Sequence, residues 1–372
     1  MKLNRQSRDN LVTIGMVAAM YIAVQILNGM GMINSHIGGL LVPLCVYATM
    51  AVSLNLVVGI LGELSLGHAG FMCIGAFASA FFSKCMAETM GRFPRFLIAI
   101  LIGGIVAAIF GFLIGIPVLR LNGDYLAIVT LAFGEIIKNI INVLYIGRDE
   151  NGLHFSMQSA SKLNMTENGE MIINGPQGIT GTPFDSTFTV GIIILLVSVI
   201  VVLNLTNSRD GRAIMSIRDN HIAAASVGIP VTRYKMLAFT LSAGIAGCAG
   251  ALYSHNLASL IATPARFGYN MSILFLVFVV LGGIGSTRGS IIAAIILTLI
   301  PEVLRFMANY RMLIYSIVLI VMMIINWNPT SRAFIEAHSP KKLLAKKKAA
   351  KASASAGQAP GSAADLSGKE GK

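Results

Sequence analysis

Long apolar stretches separated by short polar segments dominate the chain. Ten of them approach the roughly 20 residues that a helix needs to cross the roughly 30 Å hydrocarbon core of a bilayer. They lie at residues 11–28, 37–61, 67–83, 96–119, 125–146, 187–206, 234–254, 271–283, 289–306 and 311–327. Stretches such as 96–119 are apolar on every face, whereas strands of a membrane β-barrel alternate apolar and polar positions. The pattern predicts an all-α integral membrane protein with about ten transmembrane helices.

Composition agrees with a membrane location. Of the 372 residues, 55% are hydrophobic and 12% are charged, about half the charged share of a soluble domain. The first stretch follows Lys2, Arg5 and Arg8, a pattern that secretory signal peptides share. That stretch is long for a signal, and no small-x-small cleavage site precedes the next one. We therefore interpret it as a membrane anchor.

The distribution of basic residues predicts the orientation. Ten spans place both termini on one side, and if that side is cytoplasmic it holds 19 of the 28 Lys and Arg residues. Seven then lie outside and two lie within spans, as the positive-inside rule requires. The net charge of +12 is thus mainly a topology signal, and no folded basic domain supports a nucleic-acid partner.

These assignments divide the chain into a cytoplasmic N-terminus (1–10), a transmembrane domain (11–327) and a basic cytoplasmic tail (328–372). The tail is rich in Ala, Ser, Gly and Lys, so it cannot bury a core and is predicted to be disordered. Contact with anionic lipid is open to it. An external loop (147–186) either contacts a substrate-delivering partner or packs on the outer helix ends.

A cytoplasmic segment, 207–233, contains the most informative pattern. Residues 212–228 predict one amphipathic helix ended by Gly228, with Pro230 preventing its continuation. One predicted face carries Ile214, Ile217, His221 and Ala224, while Arg212, Arg218 and Asp219 are polar positions of the same helix. Such a helix suits a groove on a soluble partner.

Four blocks of sequence together identify a family resemblance. They are 59–71 (GILGELSLGHAGF), 123–137 (GDYLAIVTLAFGEII), 212–230 and 280–286 (VLGGIGS). In this order they resemble the LivM type of permease subunit of branched-chain amino-acid ABC importers, in which the cytoplasmic helix couples the permease to an ATPase.

The resemblance implies a set of partners and a location. It implies a homologous LivH-like permease subunit, two cytoplasmic ABC ATPases and an external solute-binding protein, in the bacterial plasma (inner) membrane. It also implies a transport subunit that needs no cofactor and is not an enzyme. The chain has no Gly-x-x-x-x-Gly-Lys-Ser/Thr motif, so ATP hydrolysis is expected in the partners.

Polar residues within the spans are candidates for the substrate pathway. Ser65, Gly67, His68 and Gly70 begin the third span, where small residues allow either close helix packing or a broken helix whose amides face a cavity. Both interpretations stand. In the fifth span, Glu135 and Lys138 are spaced i, i+3, so they can form an ion pair, which is either functional or structural.

Other patterns are less specific. The four cysteines lack metal-ligand spacing, so no metal site is predicted. Glycines at 282–289 predict a tight turn between the eighth and ninth spans. Small residues recur at four-residue spacing in 103–115 and 243–251 and predict close helix packing, against another span or a second permease.

Three alternatives to a branched-chain amino-acid importer remain at this stage. LivM-like chains also resemble permeases for urea and short amides. An ion-coupled secondary carrier would use Glu135 or Glu63 as its coupling group, with proton transfer between Glu63 and His68 as one route. A channel or a membrane scaffold would show no ligand-stimulated ATPase activity.

Overall fold

The structure is a computed structural model of the chain. It describes residues 5–31, 35–121, 123–149, 152–163, 165, 169–307 and 310–327. The predicted tail, 328–372, lies outside the described residues. Two units are distinguished, Met1–Arg311 and Met312–Lys372.

Helices account for most of the described chain. In the first unit they are α1 (Arg5–Gly29), α2 (Ser35–Asn55), α3 (His68–Cys85), α4 (Arg92–Val118), α5 (Asp124–Asn142), α6 (Phe188–Asn207), α7 (Arg209–Asp219), α8 (His221–Ser226), α9 (Val231–Ser254), α10 (Pro264–Phe267), α11 (Tyr269–Gly282) and α12 (Thr287–Val303). A further helix, α13 (Arg311–Trp327), falls almost wholly in the second unit and is apolar along most of its length.

Six helical segments are long and apolar enough to cross a membrane. They are Asn10–Gly29, Ile37–Leu61, Arg92–Val118, Phe188–Asn207, Val231–Ser254 and Pro264–Gly282. The other four predicted spans coincide largely with α3, α5, α12 and α13, which do not meet the same criterion in the described chain. The chain is thus a mostly helical, multi-pass membrane protein, and ten crossings remain a prediction.

The prediction of an all-α chain was wrong in one segment. The predicted loop 147–186 contains β1 (Tyr145–Asp149), β2 (Gly152–Ser156) and β3 (Glu170–Asn174), which form an antiparallel sheet in the order β2-β1-β3. A separate two-stranded sheet pairs β4 (Ile179–Thr180), from the same segment, with β5 (Ser259–Leu260), which follows α9. The predicted fifth span accordingly ends at Asn142 and not at residue 146. Strand pairing satisfies backbone groups that no helix satisfies in this segment.

The second span occupies the centre of the first unit. In its most apolar stretch, 94% of the residues are buried, compared with 11% in α1 and 33% in α4. It contacts α6, α9, α11 and α12. After Asn55 it continues as a π-helical segment, Leu56–Leu61, and ends at Gly62, whose φ of +84° favours glycine.

Two stripes of small residues bring α4 and α9 together. A Cβ added at Gly103 would lie 3.2 Å from the Cβ of Ala251, and Gly111 faces Ala243 in the same way. Gly247 lies against Ala107. The predicted close packing is confirmed, and its partner is another span of the same chain.

Candidate functional site

The predicted coupling segment forms two helices. Asn220 separates α7 from α8 with extended backbone (φ −160°, ψ 105°), and its side chain accepts hydrogen bonds from the amides of Ile222 and Ala223, both at 3.0 Å. The prediction of one continuous helix was therefore wrong, because Asn220 caps a second helix and so ends the first. Gly228, at φ +85°, follows the end of α8 as predicted.

The apolar face of this segment is turned into the chain. Ile214, Ile217 and Ala224 are all buried, and α7 contacts α6, α9 and the π-helical segment. His221 is exposed, so its predicted place on the same face was wrong. The break at Asn220 resets the helical phase, which separates His221 from the two isoleucines.

Two apolar side chains that the sequence interpretation missed face outward instead. Ile222 is 70% exposed and Val227 is 77% exposed. Their positions follow from the phase of α8, which is set by the cap at Asn220. The surface open to a partner is therefore formed by these residues with the exposed side chains of Arg212, Asp219 and His221.

Arg218 links α7 to the π-helical segment. Its guanidinium donates to the Gly59 carbonyl at 3.3 Å and to Asp219 at 2.9 and 3.1 Å. Its Cγ occupies the space where Gly62 would carry a Cβ. Arg218 therefore holds backbone of the second span.

The same segment holds the turn between α11 and α12. The Gly285 amide donates to Asn55 Oδ1 at 3.0 Å, and the Gly285 backbone lies where a Cβ of Gly59 would stand. Gly283 and Gly285 have φ of +92° and +82°, so the predicted tight turn is confirmed. Larger side chains at Gly59 or Gly285 would separate these two elements.

Glu63 and His68 have different partners. Glu63 forms an ion pair with Lys235, at the start of α9. His68 is buried, and its Nε2 is 2.8 Å from Ser53 Oγ and 3.2 Å from Ser242 Oγ. None of the hydrogen bonds described for either residue connects the two.

The small residues at the start of α3 pack against α5. Cβ atoms added at Gly67 and Gly70 would meet backbone of Thr130 and Gly134, respectively. The Ala69 amide donates to Ser272 Oγ at 3.0 Å and the Gly70 amide to the Gly67 carbonyl at 2.9 Å. This geometry favours close packing over amides that face a ligand.

Ser65 belongs to this cluster but has a different environment. It is fully buried, and its Oγ has no hydrogen-bond partner in the described chain. His68 Nδ1 is likewise unpartnered there. Two buried polar atoms thus lie close in sequence, beside the first turn of α3.

The predicted pair in α5 is present. Glu135 and Lys138 form an ion pair, and Glu135 Oε1 accepts a hydrogen bond of 2.9 Å from the Tyr269 amide, the first residue of α11. The carboxylate therefore connects α5 to the start of a second helix. Among the described residues, no group of three or more His, Cys, Asp or Glu side chains could hold a metal ion.

The opposite ends of these helices are joined by a buried ion-pair cluster. Asp185 is buried between Arg95, at 2.6 Å, and Arg92, at 2.8 Å. Behind them, His255 Nε2 lies 2.7 Å from Ser83 Oγ, and burial lowers the pKa of His255 below its usual value. These side chains join α3, α4 and the end of α9 to the segment that precedes α6.

Comparison with known proteins places this architecture. Residues 36–326 match the family described as "Branched-chain amino acid transport system / permease component". The chain is similar to the high-affinity branched-chain amino acid transport system permease protein LivM of Escherichia coli (strain K12), with 35% identity over 295 residues, 76% of this chain and 67% of that protein.

More distant relatives are also permeases. The chain is 24% identical over 245 residues to the nucleoside ABC transporter permease protein NupC of Lactococcus lactis subsp. cremoris (strain MG1363), 62% of this chain and 71% of that protein. It is 25% identical over 256 residues to the permease protein LivH of Salmonella typhimurium, 68% of this chain and 79% of that protein. No solved structure matches it.

Proposed function

The chain belongs to the family of branched-chain amino acid transport system permease components, and we propose that it forms one half of the membrane pathway of an ATP-driven importer for leucine, isoleucine or valine. The pathway lies between this chain and a homologous LivH-like subunit. Two ABC ATPases supply the energy, and an external solute-binding protein supplies the substrate. In this proposal the chain is a transport subunit, and ATP hydrolysis takes place in the partner ATPases.

The observation that carries the proposal is the connection from α7 to the second span. Ile214 and Ile217 seat α7 against the helices, and Arg218 holds the Gly59 carbonyl. The exposed side chains of Ile222 and Val227 are left for a partner. A partner that moves α7 and α8 therefore moves the π-helical segment and, through Asn55, the turn at Gly285.

The segments that join the helices form two groups, one at each end of the helices, and we assign an orientation from them. The first holds 59–63, 207–233 and 283–289, which are linked by the contacts of Asn55, Arg218 and Lys235. The second holds the strands, Asp185 and the end of α9. We assign the first side, with both termini, to the cytoplasm of a bacterial cell, because the basic residues concentrate there.

The mechanism is alternation of access between two packed states. Closure of the ATPases shifts α7 and α8, and the cavity between the two permease subunits then opens to the cytoplasm. Ser65, Gly67, His68 and Gly70 lie beside the junction between the π-helical segment and α3. We place them at the pathway with Glu135, where Gly67 and Gly70 pack α3 against α5. Segment 147–186 is the proposed contact for the binding protein, and the tail, 328–372, is assigned to the cytoplasmic side.

Reconstitution tests this proposal. The chain is combined in proteoliposomes with its permease partner, the ATPases and the binding protein, and uptake of radiolabelled leucine is measured. We expect uptake that requires ATP and the binding protein together. ATPase variants that bind but do not hydrolyse ATP are the control, and they should abolish uptake.

Three results would contradict the proposal. Leucine uptake by this chain alone under a proton or sodium gradient would indicate a secondary carrier. Uptake of urea or a short amide in place of leucine would indicate a permease for those substrates. Absence of ligand-stimulated ATPase activity in the assembled complex would indicate a channel or scaffold.

A further inference from the structure

Glu135 and Lys138 are unequally exposed. The Lys138 side chain is 7% exposed and the Glu135 side chain is 25% exposed. At 1.5 Å per residue, Glu135 is roughly 16 Å from the start of α5 and roughly 10 Å from its end, so the pair lies well inside the predicted fifth span. The ammonium group is thus enclosed by the chain, while the carboxylate reaches the edge of the uncovered face of α5.

The Glu135 carboxylate is held in place and still has acceptor capacity. Lys138 and the amide of Tyr269 each occupy one of its oxygens. An ionised carboxylate offers about four acceptor positions, so further donors can bind without displacing either contact. Its position is therefore set before any ligand arrives.

The exposed residues of α5 and α11 beside this carboxylate include aliphatic, aromatic and amide side chains. Ile136, Tyr269 and Ile273 are 54%, 47% and 41% exposed, and Asn139 is exposed one turn further along α5. A carboxylate and an amide facing hydrocarbon would be costly. This face of α5 and α11 therefore suits a polar pathway better than lipid.

We propose that Glu135 binds the ammonium group of the transported amino acid, on a half-site whose apolar part receives the aliphatic side chain and which the second permease subunit completes. This inference rests on the proposed function. Glu135 supplies the opposite charge for the ammonium group, and Asn139 can donate to the substrate carboxylate. Since Lys138 balances Glu135, a zwitterion adds no net charge to the membrane interior.

Uptake by a charge-pair series tests the proposal. Glu135→Gln, Glu135→Gln/Lys138→Gln and the control Glu302→Gln are reconstituted with all partners, and leucine uptake is normalised to assembled complex. Glu302 forms a similarly spaced pair with Arg305 and is 28% exposed, so it matches Glu135. Loss of a charged hydrogen bond predicts a fall of about tenfold or more for both Glu135 variants, with the control near wild type.

The double variant separates substrate binding from structure. If Glu135 only neutralises Lys138, removing both charges restores uptake, and that result would overturn the proposal. Unchanged uptake in Glu135→Gln would overturn it too, as would an equal loss in Glu302→Gln. An apparent melting temperature of the purified variants in detergent shows whether a loss reflects misfolding.

Thiol labelling gives a readout independent of transport, so it decides the location of the site even if the wild-type complex carries a different substrate. Asn139→Cys and Ile105→Cys are made in a chain in which Cys45, Cys73, Cys85 and Cys248 are replaced. Ile105 is 58% exposed on α4 and serves as the control for a lipid-facing position. A charged, water-soluble thiol reagent should modify Asn139→Cys at least tenfold faster in the assembled complex. Equal rates would place Asn139 in lipid and overturn the half-site.

Discussion

The two ends of the helix bundle are held by different physics. On the proposed cytoplasmic side, Arg218 reaches a backbone carbonyl, and Asn55 reaches a backbone amide. On the opposite side, the carboxylate of Asp185 is buried between two guanidinium groups. The Glu63–Lys235 ion pair also lies on the proposed cytoplasmic side, but the glycine-rich segments there are joined to each other by hydrogen bonds to backbone, which can shift with small rearrangements. Loss of one partner from a buried ion pair costs more. The first end is suited to transmit motion, and the second to hold the helices together.

The largest effect is expected when the ion pairs of Asp185 are removed. Asp185→Ala leaves the buried side chain of Arg95 without its ionic partner, and loss of one member of a buried pair costs about 3–5 kcal/mol. We expect a marked fall in the apparent melting temperature in detergent and in the amount of protein in the membrane. Arg92→Ala is the control, because the Arg92 side chain is 67% exposed and contributes less. Equal effects of the two variants would contradict the assignment of Arg95 as the buried partner.

At the proposed cytoplasmic end, we expect a smaller effect on stability and a larger effect on transport. Arg218→Ala removes a charged hydrogen bond to the Gly59 carbonyl, worth about 1.5–3 kcal/mol. Leucine uptake by the reconstituted complex should fall about tenfold or more, while ATP hydrolysis per assembled complex falls less.

The matched control for Arg218→Ala is Arg209→Ala. Arg209 is exposed on the same helix and is not one of the residues that form the surface open to a partner. It should retain most of the uptake. If Arg218→Ala instead prevents the ATPases from binding, Arg218 is a docking residue and does not transmit motion to the second span.

The smallest effect is expected from pH, again at the end that holds Asp185. Burial lowers the pKa of His255 in the folded chain; the hydrogen bond to the Ala251 carbonyl and the charge of Asp185 act in the opposite direction, and Arg95 adds a small lowering contribution. The unfolded chain, with a His pKa near 6.5, then binds more protons as the pH falls below that value. Stability from this group is complete above about pH 6.5 and is lost below it. The apparent melting temperature of the wild type should therefore fall more between pH 7 and pH 5 than that of His255→Gln. Parallel curves would exclude His255 as the cause.

Patterns that depend on neighbours in sequence were predicted well. The i, i+3 spacing of Glu135 and Lys138 predicted their ion pair, and glycines at 282–289 predicted a tight turn. The small-residue stripes predicted close packing, because a helix without bulky side chains can approach another wherever it finds one. In each case the signal lies within a few residues of chain.

Patterns that depend on competition between local structures were predicted less well. The segment 212–228 has the amphipathic period of a helix, but the side chain of Asn220 offers the backbone a second cap and divides it. Segment 147–186 has turn residues and weak periodicity, and one of its strands, β4, pairs with residues far along the chain, such as Leu260. Such pairing has no signature in a short window of sequence.

The sequence by itself determined that this protein resides in a membrane, and its motif blocks determined its family. Both follow from patterns that are complete along the chain: apolar length, the sign of charge beside each span, and ordered short motifs. Tertiary structure alone decided that the apolar face of α7 lies against the chain's own helices, that Arg218 holds Gly59, and that Glu135 reaches the start of α11. The reason is that a polar or apolar side chain specifies what kind of partner it requires, while the path of the backbone decides which partner it meets.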